Sequence, residues 1–329
     1  MHRGRHAGDP GGRRFRFYRT TTASPQRLVQ ILLGCVWLAD GALQLQPFMF
    51  GRGFVTRMLM PTATGNPAPV AASITAMARF LEPHVAAWNA LFAATQLAIG
   101  AGLLVRRTVR PAIAVSFIWS LAVWWFAEGL GGLLTGTASP LSGAPGAVLL
   151  YVLVGLLVWP VREERQGEQW RRGGGGLLGG TGARVAWAGL WVGGAAALLQ
   201  PANLAGGALR NALLAAKAGQ PGWYASLLSG TAHVLGPYGV PLTLALAAEM
   251  ALVGIGVALG WQAPALLGVA TILAILIWVF PEGLGGVLTG QGTDPNTGPL
   301  LVLAGLAWYR SCPEPQARRV VAASVATAA

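Results

Sequence analysis

The sequence predicts an all-α integral membrane protein: eight transmembrane helices built from two parallel four-helix repeats, with extracytoplasmic amphipathic segments and glycine-rich re-entrant turns. Three observations predict it. Of 329 residues, 54% are hydrophobic and only 10% charged, where a soluble domain carries about 25% charged residues. The apolar residues gather into runs long enough to cross a bilayer. And the stretch WWFAEGLGGLLTG at 124–136 returns as WVFPEGLGGVLTG at 278–290, with ten of thirteen positions identical.

Along the chain, residues 1–26 hold six Arg and little apolar content and read as a disordered basic cytoplasmic tail. The run that follows is too long, and lacks the small-residue site, for a cleaved leader. A helix needs about 20 apolar residues to cross the hydrocarbon core. Runs at 28–46, 85–105 and 111–126, and a shorter one at 144–159, make a first repeat spanning 27–160. A charged, then Gly-rich linker follows at 161–184. Runs at 185–200, 241–259 and 264–280, and a shorter one at 298–309, make a second repeat spanning 185–312, before a cytoplasmic tail at 313–329. The outer segments 48–83 and 202–237 read as amphipathic helices broken at Gly-x-Pro. The two short runs imply a thinned bilayer or helices that start below the surface.

The repeat keeps one register. At an offset of 154, Trp37 meets Trp191, Gln46-Pro47 meets Gln200-Pro201, Gly65 meets Gly219, Pro83 meets Pro237, and Pro145 meets Pro299. This is a duplicated unit. Four spans is an even number, so both copies have the same orientation and the pseudo-twofold axis lies along the membrane normal. Eight spans with both termini inside place 18 basic residues on the cytoplasmic side and five outside, as the positive-inside rule requires. The net charge of +12 therefore reads as orientation and anionic-lipid contact. It does not read as nucleic-acid binding. Both EGLGG segments fall on the extracytoplasmic side.

Glu128 and Glu282 are the repeated carboxylates. The glycines after each permit a non-helical backbone, buried in protein or lining a wet cavity. A carboxylate there can accept from N–H groups of the next turn, or it can face a ligand or proton at the mouth of an outward-facing pocket. Asp40 lies inside the first span, on one helix face with Trp37 and Gln44. Its counterpart is Gly194. Glu249 lies midway through the sixth span; its counterpart is Thr95, beside Gln96. An ionisable group within a span is a functional candidate, and no Arg or Lys inside a span pairs either of these. Gln46 and Gln200, each before a Pro, are positioned to bond carbonyls freed at a helix end. Cys35 reads as a small buried hydrophobe. No P-loop, HExxH, GxSxG or His/Cys metal spacing occurs, so no catalytic residue and no metal site is assigned.

A short pattern of Arg, a Gly four residues on and a second Gly about five later is matched in part: the second copy has Arg184, Ala188 in place of the first Gly, then Gly193-Gly194, and the first has Gln30 in place of the Arg, then Gly34 and Asp40-Gly41. On it the four-span unit resembles the DoxX-like superfamily of bacterial four-helix membrane proteins, as a fused tandem of about 250 residues. The resemblance implies an accessory or quinone-linked component of a membrane redox system, and quinone is the one cofactor it implies. The Arg-rich, Lys-poor composition points to a GC-rich bacterial genome and so to the bacterial plasma membrane. Two other readings stand beside it. The parallel repeat and the membrane carboxylates fit a small-solute or proton-coupled transporter. The small-residue runs fit a structural subunit of a membrane complex, with other membrane or extracytoplasmic subunits as partners.

Overall fold

The computed structural model describes residues 24–161, 176–261 and 264–311. The basic tail up to residue 23, the linker from 162 to 175 and the C-terminal tail lie outside the described residues. The described chain is all-helical. The first half holds α1 (Pro25–Leu43), α2 (Ala68–Leu81), α3 (Val85–Leu104), α4 (Val109–Phe126) and α5 (Ala147–Val158). The second holds α6 (Gly179–Leu198), α7 (Ala208–Ala216), α8 (Gly222–Leu235), α9 (Gly239–Ala258), α10 (Pro264–Val279) and α11 (Thr297–Ser311).

Among the described residues, three apolar stretches are long enough to cross a membrane: Ala68–Leu104, Val109–Phe126 and Gly222–Ala258. The first and third join α2 to α3 and α8 to α9 through single 3₁₀ turns at Pro83 and Pro237. Each runs for 37 residues, about 55 Å at 1.5 Å per residue. That exceeds a hydrocarbon core of about 30 Å, so part of each extends past it. Large apolar side chains point outward along α4: Val115, Leu121, Trp125 and Ile118, the last 74% exposed. In water such a face is an association liability; in lipid it is solvated.

Local chemistry sets the helix ends. Ser24 caps α1 by accepting from the Arg27 amide, with Pro25 at the first helical position, where its missing N–H is not needed. Gly65 and Gly219 take φ of +78° and +72° just ahead of α2 and α8, a region open to glycine at no steric cost.

The halves correspond element by element. α8 and α9 begin and end 154 residues after α2 and α3. α1 packs chiefly on α3 and α6 on α9. A Cβ at Gly100 would lie 2.9 Å from the Gly34 carbonyl, and one at Gly254 would lie 2.9 Å from the Ala188 carbonyl. Both helix pairs thus depend on backbone-close packing. α4 pairs with α5 and α10 with α11, while α5 and α11 meet each other at the centre. α7 answers a first-copy stretch that is π-helical over Phe54–Leu59 and 3₁₀ over Met60–Ala63.

One sequence pairing is corrected. Trp124 Nε1 donates to the Pro145 carbonyl at 2.8 Å, and Trp278 Nε1 donates to that of Pro295 at 2.7 Å. Pro145 therefore answers Pro295 and not Pro299. The second loop is four residues shorter, and beyond it the offset is 150. Pro299 falls inside α11.

Candidate functional site

The site grows from the GLGG run. Gly129, Leu130, Gly131 and Gly132 take φ of +55°, +58°, +62° and +69°. Gly283, Leu284, Gly285 and Gly286 take +57°, +56°, +67° and +68°. Each run is a single left-handed turn, which costs about 1–2 kcal/mol at each leucine. The glycines also make room: a Cβ at Gly131 would stand 2.0 Å from the Pro145 carbonyl oxygen. Side chains from the outer segments grip the turns. Asn66 Nδ2 donates to the Gly129 carbonyl at 3.3 Å, and Gln220 Nε2 to that of Gly283 at 2.8 Å.

These turns aim the two glutamates forward, at the N-termini of α5 and α11. Glu128 Oε1 accepts from the Val148 amide at 3.3 Å. Glu282 Oε2 accepts from the Gly298 amide at 3.3 Å, and its Oε1 from the Thr297 hydroxyl. The donors are thus the first turn of the next helix, where N–H groups lack intrahelical partners and the helix dipole favours a negative charge. They are not the N–H groups of the glycine run. This also explains why α5 and α11 are short: each starts beneath the loops, on a buried carboxylate.

The copies then differ. Glu282 has both oxygens occupied. Glu128 has Ala147 where the second copy has Thr297, and its Oε2 is buried with no hydrogen-bond partner among the described residues. Gly146 leaves that oxygen its space, since a Cβ there would lie 2.2 Å from it. The second copy has Asn296 at this place.

Each glutamate lines a cavity. Around Glu128 it measures about 410 Å³ and includes Thr62, Asn66, Thr135, Asp294 and Asn296. Around Glu282 it measures about 280 Å³ and includes Ala216, Gln220, Thr289 and Gln291. Most of these residues are repeat counterparts, and Gly285 and Thr293 belong to both walls. Burial pushes the Glu128 carboxyl up to about 8, with the negative charge of Asp294 adding to it. Burial pushes Glu282 up to about 7, against the opposing bonds from Thr297 and Gly298. Asp294 is also raised, chiefly by burial. Its Oδ1 accepts from the Asn296 amide at 2.7 Å and its Oδ2 from the Thr293 hydroxyl at 2.8 Å.

Behind Asp294 is a buried polar seam. Asp40 is 2% exposed, and its Oδ2 accepts from the Tyr151 hydroxyl at 2.5 Å. Its Oδ1 has no partner among the described residues; the same holds for Trp37 Nε1, Gln44 Oε1, Asn89 Oδ1 and Gln96 Oε1. Asp294 stands close enough to Asp40, Tyr151 and Glu128 to act on each electrostatically. In the second copy Gly194 replaces Asp40.

Glu249 does not join this group. It lies on the exposed face of α9, because the buried stripe runs through Ala247, Met250, Val253, Gly254 and Val257. The buried neighbour of Asp40 is Asp294, from a loop of the second half, and not Glu249. Cys35 is likewise exposed. Gln46 does not bond the carbonyls of its own helix end, and its Oε1 is buried with no partner among the described residues. Its Nε2 donates to the Gly292 carbonyl of the other half at 3.4 Å. The reciprocal bond runs from Asn203 Nδ2 to the Ala138 carbonyl at 2.8 Å, while Gln200 leaves Oε1 unpartnered among the described residues. Sequence reasoning passed over Asp294, Tyr151, Thr297 and Asn203. Only Asp294, an acidic residue in an otherwise uncharged loop, carried a signal. Among the described residues no group of three His, Cys, Asp or Glu is placed to hold a metal ion.

Compared with protein-family models, with curated proteins and with solved structures, the chain finds no match.

Proposed function

We propose that the chain is a polytopic bacterial plasma-membrane protein of eight spans in two parallel repeats, with both ends cytoplasmic. In this reading the Glu128 cavity opens to the extracytoplasmic side and takes up a small solute in exchange for a proton. One observation carries it: a carboxyl raised to about 8, in a cavity where, among the described residues, one of its oxygens has no partner and no Lys or Arg lines the wall. A group poised near neutral pH exchanges protons readily. The arginine distribution supports the sidedness, and the matching helix contacts of the two halves support the parallel repeat.

The test is infrared spectroscopy of the protein in lipid nanodiscs. The expected result is a protonated-carboxyl band that persists above pH 7, is removed by E128Q and survives E282Q. A spectrum that E128Q leaves unchanged overturns the reading. The quinone-linked redox reading draws on a different feature. An apolar cavity of about 640 Å³ between α8, α9 and α10 is lined by Leu, Ile and Phe280 around Thr243, whose buried hydroxyl oxygen has no partner among the described residues. A quinone among the molecules that co-purify, identified by mass spectrometry, favours that reading.

A further inference from the structure

We propose that the Glu128 cavity binds a compact organic cation: a protonated amine whose N–H donors reach both Glu128 and Asp294. The proposal rests on the reading of this cavity as a solute site and names the solute.

Glu128 arrives from the first half and Asp294 from the second, and both line one cavity. Asp294 has no acidic counterpart, since the offset of 150 sets it against Ala144. Asp40 sits behind it, 98% buried by its 2% exposure, with one oxygen unpartnered among the described residues. Asp294 acts electrostatically on both Glu128 and Asp40, and among the described residues no Lys, Arg or His lines the cavity. Burying unpaired carboxylates is unfavourable, and a cleft lined by one sign of charge concentrates the opposite sign. An entering cation relieves both.

Shape and chemistry narrow the class. The rest of the lining is oxygen-rich, with Thr62, Thr135, Ser142 and Asn296. A volume of about 410 Å³ falls within the about 300–1,000 Å³ range of small-molecule sites and is far larger than a bare ion. The acidic groups are spread out, and no three of them gather at metal-ligand spacing among the described residues. A polyatomic cation with several N–H groups can span carboxyls that a single metal ion cannot. Glu128 already spends Oε1 on Val148, which leaves Oε2 for the ligand. The cavity at Glu282 has no second carboxyl in its wall among the described residues, and Glu282 leaves neither oxygen unpartnered, so it is not a second copy of the site.

The probes are ethylamine, 1,4-diaminobutane, uncharged 1,4-butanediol, sodium chloride and calcium chloride, titrated calorimetrically into the full chain in nanodiscs. The amines are expected to bind and the diol is not. Losing one charge-assisted hydrogen bond weakens binding by about tenfold or more, so D294N should lose at least that, while E282Q stays near wild type. E128Q supplies the same comparison should D294N fail to fold. Amine binding unchanged in D294N and E128Q, or Asp294-dependent binding of calcium or sodium in place of amines, overturns the proposal. No amine binding with the Glu128 infrared band intact sinks the amine and leaves the solute-site reading standing. Loss of the band itself sinks both.

Discussion

Glu128 and Glu282 occupy one repeat position with different surroundings: Ala147 and Gly146 stand in the first copy where the second has Thr297, whose hydroxyl donates to Glu282, and Asn296. Removing the Glu282 acceptor orphans the Gly298 amide and the Thr297 hydroxyl. E282A is therefore expected to lower stability by about 1–3 kcal/mol, and E282Q, which keeps an acceptor, by less; thermal denaturation in detergent checks both. The pH dependence has a fixed sign. Both carboxyls rise from an ordinary 4.5, to about 8 and about 7, so between those values the folded state holds protons that the unfolded chain releases. Their contribution to stability is complete below 4.5 and is lost as pH climbs to the folded values. E128Q is expected to flatten the decline above pH 7, and E282Q only the part below it, in denaturation midpoints measured across that range. Asp294 and Tyr151 stand close enough to Glu128 to share its electrostatic field. The glutamates were legible in the sequence because each sits in a repeated motif, and Asp40 because an acid in an apolar run stands out. Tyr151 and Asp294 were not, because only tertiary packing brings an α5 side chain and a second-half loop together beside Asp40.

At the scale of the element, the glycine-rich turn was legible as non-helical but not as left-handed, because a leucine sits among the glycines and L-residues rarely take that conformation. Close approach rather than flexibility explains Gly131. Alanine there would meet the Pro145 carbonyl at 2.0 Å, whereas alanine at Gly136, with φ of +74°, would meet nothing within 4 Å. G136A should therefore cost only the left-handed penalty of about 1–2 kcal/mol. G131A should cost several times that, or prevent recovery of folded protein altogether. Thermal denaturation and yield of the two variants side by side check this, and equal effects would mean the turn tolerates displacement of Pro145. The same element explains why the register broke unseen. Pro145 and Pro299 match by sequence at the old offset, while the indole bonds from Trp124 and Trp278 pick out Pro145 and Pro295.

For the whole molecule, the duplication was the most legible feature, because a constant offset over a hundred residues survives in sequence. How the halves join was not. α5 and α11 meet at the centre, and Gln46 and Asn203 reach across to the opposite loops at positions that differ between the copies. Those bonds tie both loops, and hence both cavities, to one face of the molecule. The proposed topology, argued from the arginine distribution, puts that face outside. In a background with Cys35 and Cys312 replaced by alanine, a cysteine at Thr137 or at Gln291 is expected to react with a membrane-impermeant maleimide in intact cells. Both positions are exposed on the loop face. A cysteine at Thr108, exposed at the opposite end of the α3–α4 hairpin, is expected to react only after permeabilisation. If Thr108→Cys alone labels in intact cells, the topology is inverted, and the Glu128 cavity would draw its solute and its protons from the cytoplasm. If Thr137→Cys and Gln291→Cys label on opposite sides, the two repeats are not parallel, and the shared wall at Gly285 and Thr293 could not exist.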